Sequence, residues 1–401
     1  MKLVIFTQAF PYGSAESYLV NELPFLQQKY DEVILVPNVG PSASQVNESG
    51  NLKIHNFSRT AEKLQFSDHI TLISIYFTEL FYSKKFGFVL KNFRGIISRI
   101  KANLIRSKQV LKSGLINDES HYYSYWMNDW AISLAILKKQ KKIKSFIFRI
   151  NGFDIYDERH PGNYLQFRFF TYKHTTKVFA LSKSAKKYVQ DLNTFPNKIE
   201  HQYFGTQDLG EVEYKTVKTE YVVYSIARVV ELKRLPKIAE VLSNSKHNIK
   251  WIHQGEGDNE IIEEVKSTLK ENVNFIQFNS VIDYSTVIER MKSSEPDLFI
   301  NLSRTEGLPV SAIEAISLGI PLLMNDVGSC GELITPETGV LVEKDDEPKI
   351  IAEKLDNLLE ANFAKNNQQL IREFWKQNFM ASVNYKEFAD LIYDLGNGNK
   401  G

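Results

Sequence analysis

Cysteine is almost absent from this chain of 401 residues, since Cys330 is the only one. A single thiol excludes an internal disulfide framework and fits a reducing, cytoplasmic compartment. Long apolar runs are missing as well, because no window approaches the roughly 18 uninterrupted apolar residues of a membrane-spanning helix. The apolar run at residues 1–7 is too short for a signal peptide and favours a first buried strand. Any contact with a membrane is therefore expected to be peripheral.

The patterns of several familiar sites are also missing. The sequence contains no Asp-x-Asp triplet and no cluster of His and Cys at metal-ligand spacing, so we expect a site that works without a metal. No Gly-x-Gly-x-x-Gly follows the first apolar run, which argues against a nicotinamide dehydrogenase.

What the chain does contain is a pattern of strands and helices that occurs twice. Apolar residues make up 43% and charged residues 24%, as in ordinary globular proteins, and the length favours two domains. Short apolar, β-branched runs alternate with amphipathic stretches of helical length, which indicates βα units around parallel sheets. The sequence therefore predicts an α/β protein with two doubly wound domains.

The predicted strands form two series. The first series lies at 3–7, 32–36, 53–57, 121–123, 145–149, 177–181 and 199–203. The second lies at 221–226, 249–253, 273–278, 298–301 and 321–324. A polar, acidic linker at 205–219 joins them, and residues 366–395 are predicted to be helical throughout and to return to the first domain. The predicted domains are 1–205, together with a C-terminal helix at about 380–401, and 206–379.

The net charge of +1 conceals an uneven distribution. Residues 1–205 carry 28 Lys and Arg against 16 Asp and Glu, whereas residues 206–401 carry 21 against 32. Two interpretations remain open. Either the first half faces an anionic surface or substrate, or the two domains attract each other across a cleft.

Residues 80–117 hold nine basic residues and no acidic one, with apolar residues interleaved among them. A basic amphipathic helix lies flat on anionic headgroups, so one interpretation is that 84–112 contacts an anionic membrane surface. The other is a helix whose apolar face packs on its own domain. Nucleic-acid binding is not expected, because no recognised binding module accompanies the patch.

The most informative stretch is 301–321, with the sequence NLSRTEGLPVSAIEAISLGIP. A predicted strand ends at Asn301, a loop holds Glu306, and Pro309 suits the first position of a helix. Ligands of open α/β sheets bind at the carboxyl ends of strands, and a helix start attracts anions, so a phosphate fits here. Glu314 lies about 7.5 Å beyond Pro309 along the helix axis. The two carboxylates can therefore grip different hydroxyl pairs of one elongated ligand.

Glu306 and Glu314, within Glu-Gly-Leu-Pro-Val-Ser-x-x-Glu-Ala-x-Ser-x-Gly-x-Pro, resemble the signature of retaining family-4 glycosyltransferases. The resemblance covers nearly the whole chain and is closest to bacterial surface-polysaccharide members. It implies the GT-B fold, in which two Rossmann-like domains face each other across a cleft. By this resemblance Glu306 contacts the transferred sugar. The implied donor-binding residues of the same stretch, which include the N–H groups for sugar and phosphate and the carboxylate for the ribose, are Gly307, Leu308, Pro309, Val310 and Glu314.

Two cations upstream match the same family. Arg228 and Lys233 follow the first predicted strand of the second series at the family's spacing. The resemblance implies that they stabilise the leaving diphosphate, so they join Glu306 as the expected catalytic residues.

Two positions in the first half depart from the family pattern. Gly13 is the one glycine left in a loop that approaches the donor phosphates in the family. Asn151 stands where bacterial members have a histidine near the transferred sugar. An amide can still hydrogen-bond a sugar hydroxyl, but it cannot gain a proton near neutral pH. Both residues are predicted to contribute to donor binding.

The implied function is transfer of a sugar, with retention, from a UDP- or GDP-linked donor to a glycan or lipid-linked acceptor in surface-polysaccharide biosynthesis. The nucleotide sugar is a co-substrate and no cofactor is expected. The implied location is the cytoplasm or the inner face of the membrane. The alternative is a catalytically inactive partner subunit of the same fold, which Asn151 and the lost glycine favour and which the intact set of acids and cations opposes.

Overall fold

Two parallel β-sheets organise the chain in a computed structural model, which describes residues 1–12, 16–57, 61–214, 219–279 and 284–398. The chain divides into two units. The first comprises Met1–Tyr203 and Tyr385–Gly401, and the second comprises Phe204–Asn384. Each unit contains one sheet with helices, so the predicted α/β fold with two Rossmann-like domains is confirmed.

The described sheet of the first unit has seven parallel strands. They are β1 (Lys2–Thr7), β2 (Glu32–Pro37), β3 (Leu52–Ile54), β4 (Ser120–Trp126), β5 (Ile147–Ile150), β6 (Lys177–Ala180) and β7 (Ile199–His201). Their order is β3-β2-β1-β4-β5-β6-β7. Because the order reverses between β1 and β4, a crevice for ligands is expected at the carboxyl ends of those two strands.

The helices of the first unit surround this sheet. They are α1 (Leu19–Lys29), α2 (Phe66–Tyr82), α3 (Phe86–Lys91), α4 (Phe93–Lys112), α5 (Asp129–Lys139), α6 (Arg168–His174) and α7 (Lys183–Asp191). Trp130 of α5 shows how they pack. Its ring lies 4.9 Å from that of Phe6, and its indole N–H donates to the carbonyl of Thr7 at 3.0 Å. The apolar character of β1 thus follows from burial on both faces of a parallel sheet.

The second unit repeats the architecture with six strands among its described residues. They are β8 (Tyr221–Ile226), β9 (Ile249–Gln254), β10 (Val273–Phe278), β11 (Leu298–Asn301), β12 (Leu322–Asn325) and β13 (Gly339–Val342). The order β10-β9-β8-β11-β12-β13 reverses between β8 and β11. Strand β13 was not predicted. It has only four residues, and an added Cβ at Gly339 would lie 1.9 Å from the carbonyl oxygen of Leu322.

The helices of the second unit are α8 (Leu235–Ser243), α9 (Asn259–Thr268), α10 (Tyr284–Ser293), α11 (Val310–Ser317), α12 (Pro348–Glu360) and α13 (Phe363–Phe379). A last helix, α14 (Ala381–Gly396), leads back into the first unit. The prediction of one uninterrupted helix over 366–395 is wrong at Met380. This residue is extended and forms a parallel bridge with Thr206, which separates α13 from α14.

A buried ion pair ties α14 to the sheet of the first unit. Nη1 of Arg149, on β5, lies 2.5 Å from Oε2 of Glu22, on α1, and both side chains are fully buried. The guanidinium of Arg149 lies 3.8 Å from the centre of the Phe388 ring on α14. Removing Arg149 or Glu22 would leave an uncompensated buried charge, and the Phe388 ring of α14 packs against the guanidinium of this pair.

The basic stretch 84–112 forms two helices rather than one, because α3 ends before α4 begins at Phe93. The apolar side chains Ile96, Ile100 and Leu104 of α4 are buried in the core. Several cations of α4 form ion pairs within the unit, such as Lys108 with Asp68 at 2.6 Å. The α4 part of the stretch thus packs on its own domain, whereas the cations near α3 are exposed. None of the helices in the described ranges has the length and apolar character needed to cross a bilayer.

Candidate active site

Two loops meet at the point where the strand order of the second unit reverses. Strands β8 and β11 are neighbours and pair in parallel, so their carboxyl ends lie at the same edge of the sheet. The loop after β8 carries Arg228 and Lys233, and the loop after β11 carries Glu306. The backbone N–H of Arg304 donates to the carbonyl of Leu232 at 2.9 Å and joins the two loops directly.

Lys233 and Glu306 are brought into contact by these loops. The ammonium of Lys233 lies 2.6 Å from Oε1 of Glu306 in an ion pair. The Glu306 carboxylate is largely buried, whereas Lys233 is partly exposed. Among the described residues, Oε2 of Glu306 receives no hydrogen bond, so one oxygen of a buried carboxylate remains available to a ligand.

Asn301 positions this carboxylate, and the sequence alone did not single it out. Its amide N–H donates to Oε1 of Glu306 at 3.1 Å, while its Oδ1 accepts from the backbone N–H of Ser303 at 3.0 Å. Asn325, at the end of β12, donates to the carbonyl of Ser303 at 3.0 Å. A polar amide at the last position of an otherwise apolar strand was the available signal for both residues.

The loop containing Gly328 lies against the backbone of Glu306. An added Cβ at Gly328, where φ is +59°, would lie 2.1 Å from the carbonyl oxygen of Glu306. The next residue, Ser329, donates its N–H to the carbonyl of Gly307 at 3.3 Å. The φ of Ser329 is −109°, a value that any residue adopts.

Helix α11 begins one residue later than expected. Pro309 is extended, with φ of −77° and ψ of 110°, and precedes the first helical residue, Val310. The expectation that Pro309 is itself the first helical residue is therefore wrong by one position. Pro309, at the N-cap position, makes no side-chain hydrogen bond to this helix start, and the free backbone N–H groups of a first helical turn suit an anion. Gly307 and Leu308 are buried in the preceding loop, and Glu314 is buried on the helix.

The Arg228 loop is supported by two glycines of the neighbouring turn. An added Cβ at Gly255 would lie 1.8 Å from the carbonyl oxygen of Ala227, and one at Gly257 would lie 2.2 Å from that of Val229. Only glycine permits such a close approach of two backbones. Arg228 itself is exposed, and its side chain forms no hydrogen bond or ion pair with any described residue. A cation held on a supported loop without an internal partner is suited to an anionic ligand.

Two buried groups beside the site are structural. His253 contacts the hydroxyl of Ser225 through Nδ1 at 2.8 Å, and burial lowers its pKa to about 4, so the ring is neutral at physiological pH. Cys330 is buried as a free thiol, and burial, with the charge of Glu306, raises its pKa well above the usual range. A thiol that stays protonated is a poor nucleophile.

In the first unit, Asn151 borders a cavity of about 490 Å³ at the carboxyl ends of β4 and β5. The lining side chains include Trp126, Asp154 and His160. The backbone N–H of Asn151 donates to Oδ1 of Asp154 at 2.6 Å, and the two residues form a capping box around a short 3₁₀ turn. Burial raises the pKa of Asp154 to about 7. A buried carboxyl with a raised pKa therefore lies beside Asn151, which stands where the resemblance implies a histidine.

Gly13 lies outside the described residues. Its neighbour Glu16 is described, and its carboxylate accepts N–H groups from Gln8 at 2.9 Å, Ala9 at 2.9 Å and Phe10 at 3.0 Å. Glu16 therefore holds the β1–α1 loop in shape. In the described part of the chain, no group of three or more His, Cys, Asp or Glu side chains could hold a metal ion.

Residues 211–375 match a family described as "Glycosyl transferases group 1". The matched stretch includes all four of the expected acids and cations, namely Arg228, Lys233, Glu306 and Glu314. The second unit belongs to this family. The expected family is thereby confirmed for the unit that holds these residues.

The curated relatives WbnH and N-acetyl-alpha-D-glucosaminyl L-malate synthase match the chain over part of their length. The O-antigen biosynthesis glycosyltransferase WbnH of Escherichia coli is 30% identical over 202 residues, which is 49% of this chain and 54% of WbnH. N-acetyl-alpha-D-glucosaminyl L-malate synthase of Bacillus anthracis is 22% identical over 214 residues, 51% of this chain and 54% of that protein. The chain thus spans about half the length of these two relatives.

A solved structure matches the fold over the whole chain. HepE of Anabaena, in complex with UDP and glucose, has a TM-score of 0.66 and 14% identity, covering 98% of this chain and 99% of HepE. At this identity the likeness concerns the fold alone. It confirms the GT-B fold that the sequence predicted.

Proposed function

We propose that the chain is a retaining glycosyltransferase that transfers a sugar from a nucleotide sugar to a glycan or lipid-linked acceptor in surface-polysaccharide biosynthesis. The observation that carries the proposal is the contact of Lys233 with Glu306 beside the uncapped start of α11, at the reversal of strand order. The relationship to WbnH supports an acceptor of the O-antigen type. The complex of HepE with UDP and glucose makes UDP-linked sugars the first donors to test.

In this proposal the donor diphosphate binds to the cations and to the helix start. Arg228 has no internal partner to lose, and the N–H groups at Val310 add the positive end of the helix dipole. Lys233 has three N–H donors, so it can keep Glu306 and still donate to a phosphate oxygen. These groups stabilise the negative charge that develops on the departing diphosphate.

The sugar is oriented by the acids. Oε1 of Glu306 accepts from Lys233 and Asn301, so Oε2 is the oxygen that accepts a sugar hydroxyl. Glu314 binds the ribose hydroxyls by the family resemblance. Retention follows in this proposal from attack of the acceptor hydroxyl on the face that the diphosphate leaves, with a phosphate oxygen taking the proton.

Donor binding and turnover can be measured separately. Thermal shift and calorimetry with UDP, GDP, ADP and their sugars report on binding, and release of free nucleotide with and without O-antigen-type acceptors reports on turnover. We expect saturable binding of one nucleotide and its sugar, followed by release. Binding without hydrolysis or transfer across the panel would favour the inactive partner subunit. Absence of binding to every nucleotide would reject the proposed function altogether.

A further inference from the structure

The outer face of α2 is apolar along its whole length. Five large side chains face solvent with between 48% and 81% of their surface exposed, and they are Phe66, Ile70, Ile73, Phe77 and Phe81. At about 100° per residue these positions fall within an arc of roughly 80° on the helix. They form one continuous stripe, which we call the α2 stripe.

The charged residues of α2 do not reach this stripe. The helix carries only Asp68 and Glu79 as charged side chains, and both are buried. Asp68 pairs with Lys108 at 2.6 Å, and Glu79 accepts from the backbone N–H of Phe167 at 2.8 Å. The opposite face of the helix packs in the core through residues such as Ile75. A helix that is apolar on both faces is typical of one that is covered on both sides.

The stripe continues onto the neighbouring helices. The ring of Phe93, at the start of α4, lies 5.1 Å from that of Tyr76 on α2, and Phe93 is itself half exposed. Phe86 and Leu90 of α3 are exposed to a similar degree. Eight large apolar side chains on three successive helices thus form an exposed surface of a kind that marks interaction sites.

The exposed charges on and beside α3 have one sign. Lys84, Lys85, Lys91 and Arg94 are exposed on and beside α3, and they form no ion pair with a described residue. No acidic residue occurs between positions 80 and 117. The surface therefore combines apolar side chains that can enter a hydrocarbon boundary with cations that can meet phosphate headgroups.

We propose that the α2 stripe, together with Phe86, Leu90 and Phe93 and the four cations, docks the protein on the surface of an anionic lipid bilayer. Charge complementarity selects this occupant over a second copy of the chain. A twofold interface would place the same basic rim of both copies face to face, which costs free energy. The stripe inserts at the headgroup boundary, and the cations contact lipid phosphates. This surface is independent of the donor site proposed above.

The experiment is co-sedimentation of the full chain with vesicles of phosphatidylcholine containing one third phosphatidylglycerol, compared with phosphatidylcholine alone. We expect binding to the anionic vesicles. The double variant Phe77→Gln/Phe81→Gln should weaken the partition coefficient about tenfold or more, because each ring loses its apolar insertion. The variant Lys84→Glu/Lys85→Glu should weaken it about tenfold, and added salt should weaken wild-type binding.

The matched control is Ile350→Gln/Leu370→Gln, which changes two similarly exposed apolar residues of the second unit. It should leave vesicle binding unchanged. Because all the altered side chains are exposed, the variants should keep the wild-type Tm, and UDP binding serves as a separate check of the second unit. Equal binding of the wild type and the stripe variants would overturn the proposal. So would a concentration-dependent dimer in light scattering that Phe77→Gln/Phe81→Gln dissociates, since the stripe would then be a contact between copies.

Discussion

Two buried carboxylates, one in each unit, occupy comparable loops at the carboxyl ends of parallel strands. Glu16 follows β1, and both of its oxygens accept backbone N–H groups of its own loop. Glu306 follows β11, and only Oε1 is used, by a cation and an amide. Both oxygens of the Glu16 carboxylate thus accept hydrogen bonds from the protein, whereas only one oxygen of the Glu306 carboxylate does. The comparison separates an acid that shapes a loop from one that is prepared for a ligand.

The largest expected effect concerns the two cations of the β8 loop, Lys233 and Arg228. Lys233→Ala or Arg228→Ala should lower kcat/KM about a hundredfold or more, because the charge on the leaving diphosphate loses a partner. Steady-state release of nucleotide from the preferred donor measures it. Lys266→Ala, an exposed lysine of α9, is the control and should retain wild-type turnover. Turnover of Lys233→Ala or Arg228→Ala within a few fold of wild type would remove these residues from the site.

Glu306→Gln tests the half-satisfied carboxylate. Turnover should fall about tenfold or more, since the sugar loses a charged acceptor. Affinity for free UDP should stay the same or increase, because Lys233 no longer shares its charge with Glu306. Calorimetry with UDP measures the affinity, and the turnover assay measures the rate of donor consumption. A parallel loss of UDP affinity and turnover would mean that Glu306 only maintains the loop, as Glu16 does.

Glu16→Gln tests the satisfied carboxylate. The amide nitrogen of Gln cannot accept an N–H, so at least one buried donor loses its partner. The free energy of unfolding should fall by about 2 kcal/mol. Denaturant titration measures this loss, and UDP binding by the second unit should be unchanged. A variant as stable as wild type, but with altered donor kinetics, would contradict the assignment of Glu16 to loop structure.

A smaller effect, on the pH dependence of stability, is expected at the cavity of the first unit. The pKa of Asp154 is raised by burial to about 7, above the unfolded value, so between about pH 4 and 7 the folded state binds more protons. The contribution of Asp154 to the free energy of unfolding therefore falls as pH rises through this window and levels off above it. Asp154→Asn should reduce the slope of the free energy of unfolding against pH, measured by denaturant titrations from pH 5 to 8. The slope that remains in the variant includes the contribution of Glu79, whose pKa burial also raises to about 7. An unchanged slope would show that Asp154 is ionised in the folded protein.

The contact of Lys233 with Glu306 was predictable because both residues are close in sequence to the strands that place them. The alternation of apolar runs located β8 and β11, and the neighbouring ends of two parallel strands then bring Lys233 to Glu306. Asn301 was not predicted to position the carboxylate, because an asparagine at a strand end has many possible partners. The role of Gly255 needed coordinates, since the carbonyl that it approaches belongs to a loop about thirty residues earlier.

Long-range packing explains the other differences. The break at Met380 depends on pairing with Thr206, which lies 174 residues earlier and leaves no periodic signal in the helices. Glu22, the buried partner of Arg149, lies 127 residues earlier in the sequence. The α2 stripe was not predicted from the sequence. Apolar periodicity indicates which residues share a helix face, but not whether other parts of the protein cover that face.

The Arg149 contact with Phe388 has a consequence for the order of synthesis. The ribosome makes the sheet of the first unit before the second unit, but Phe388, whose ring contacts this arginine, follows the second unit in the chain. The nascent first unit therefore remains without this part of its core while the second unit is translated.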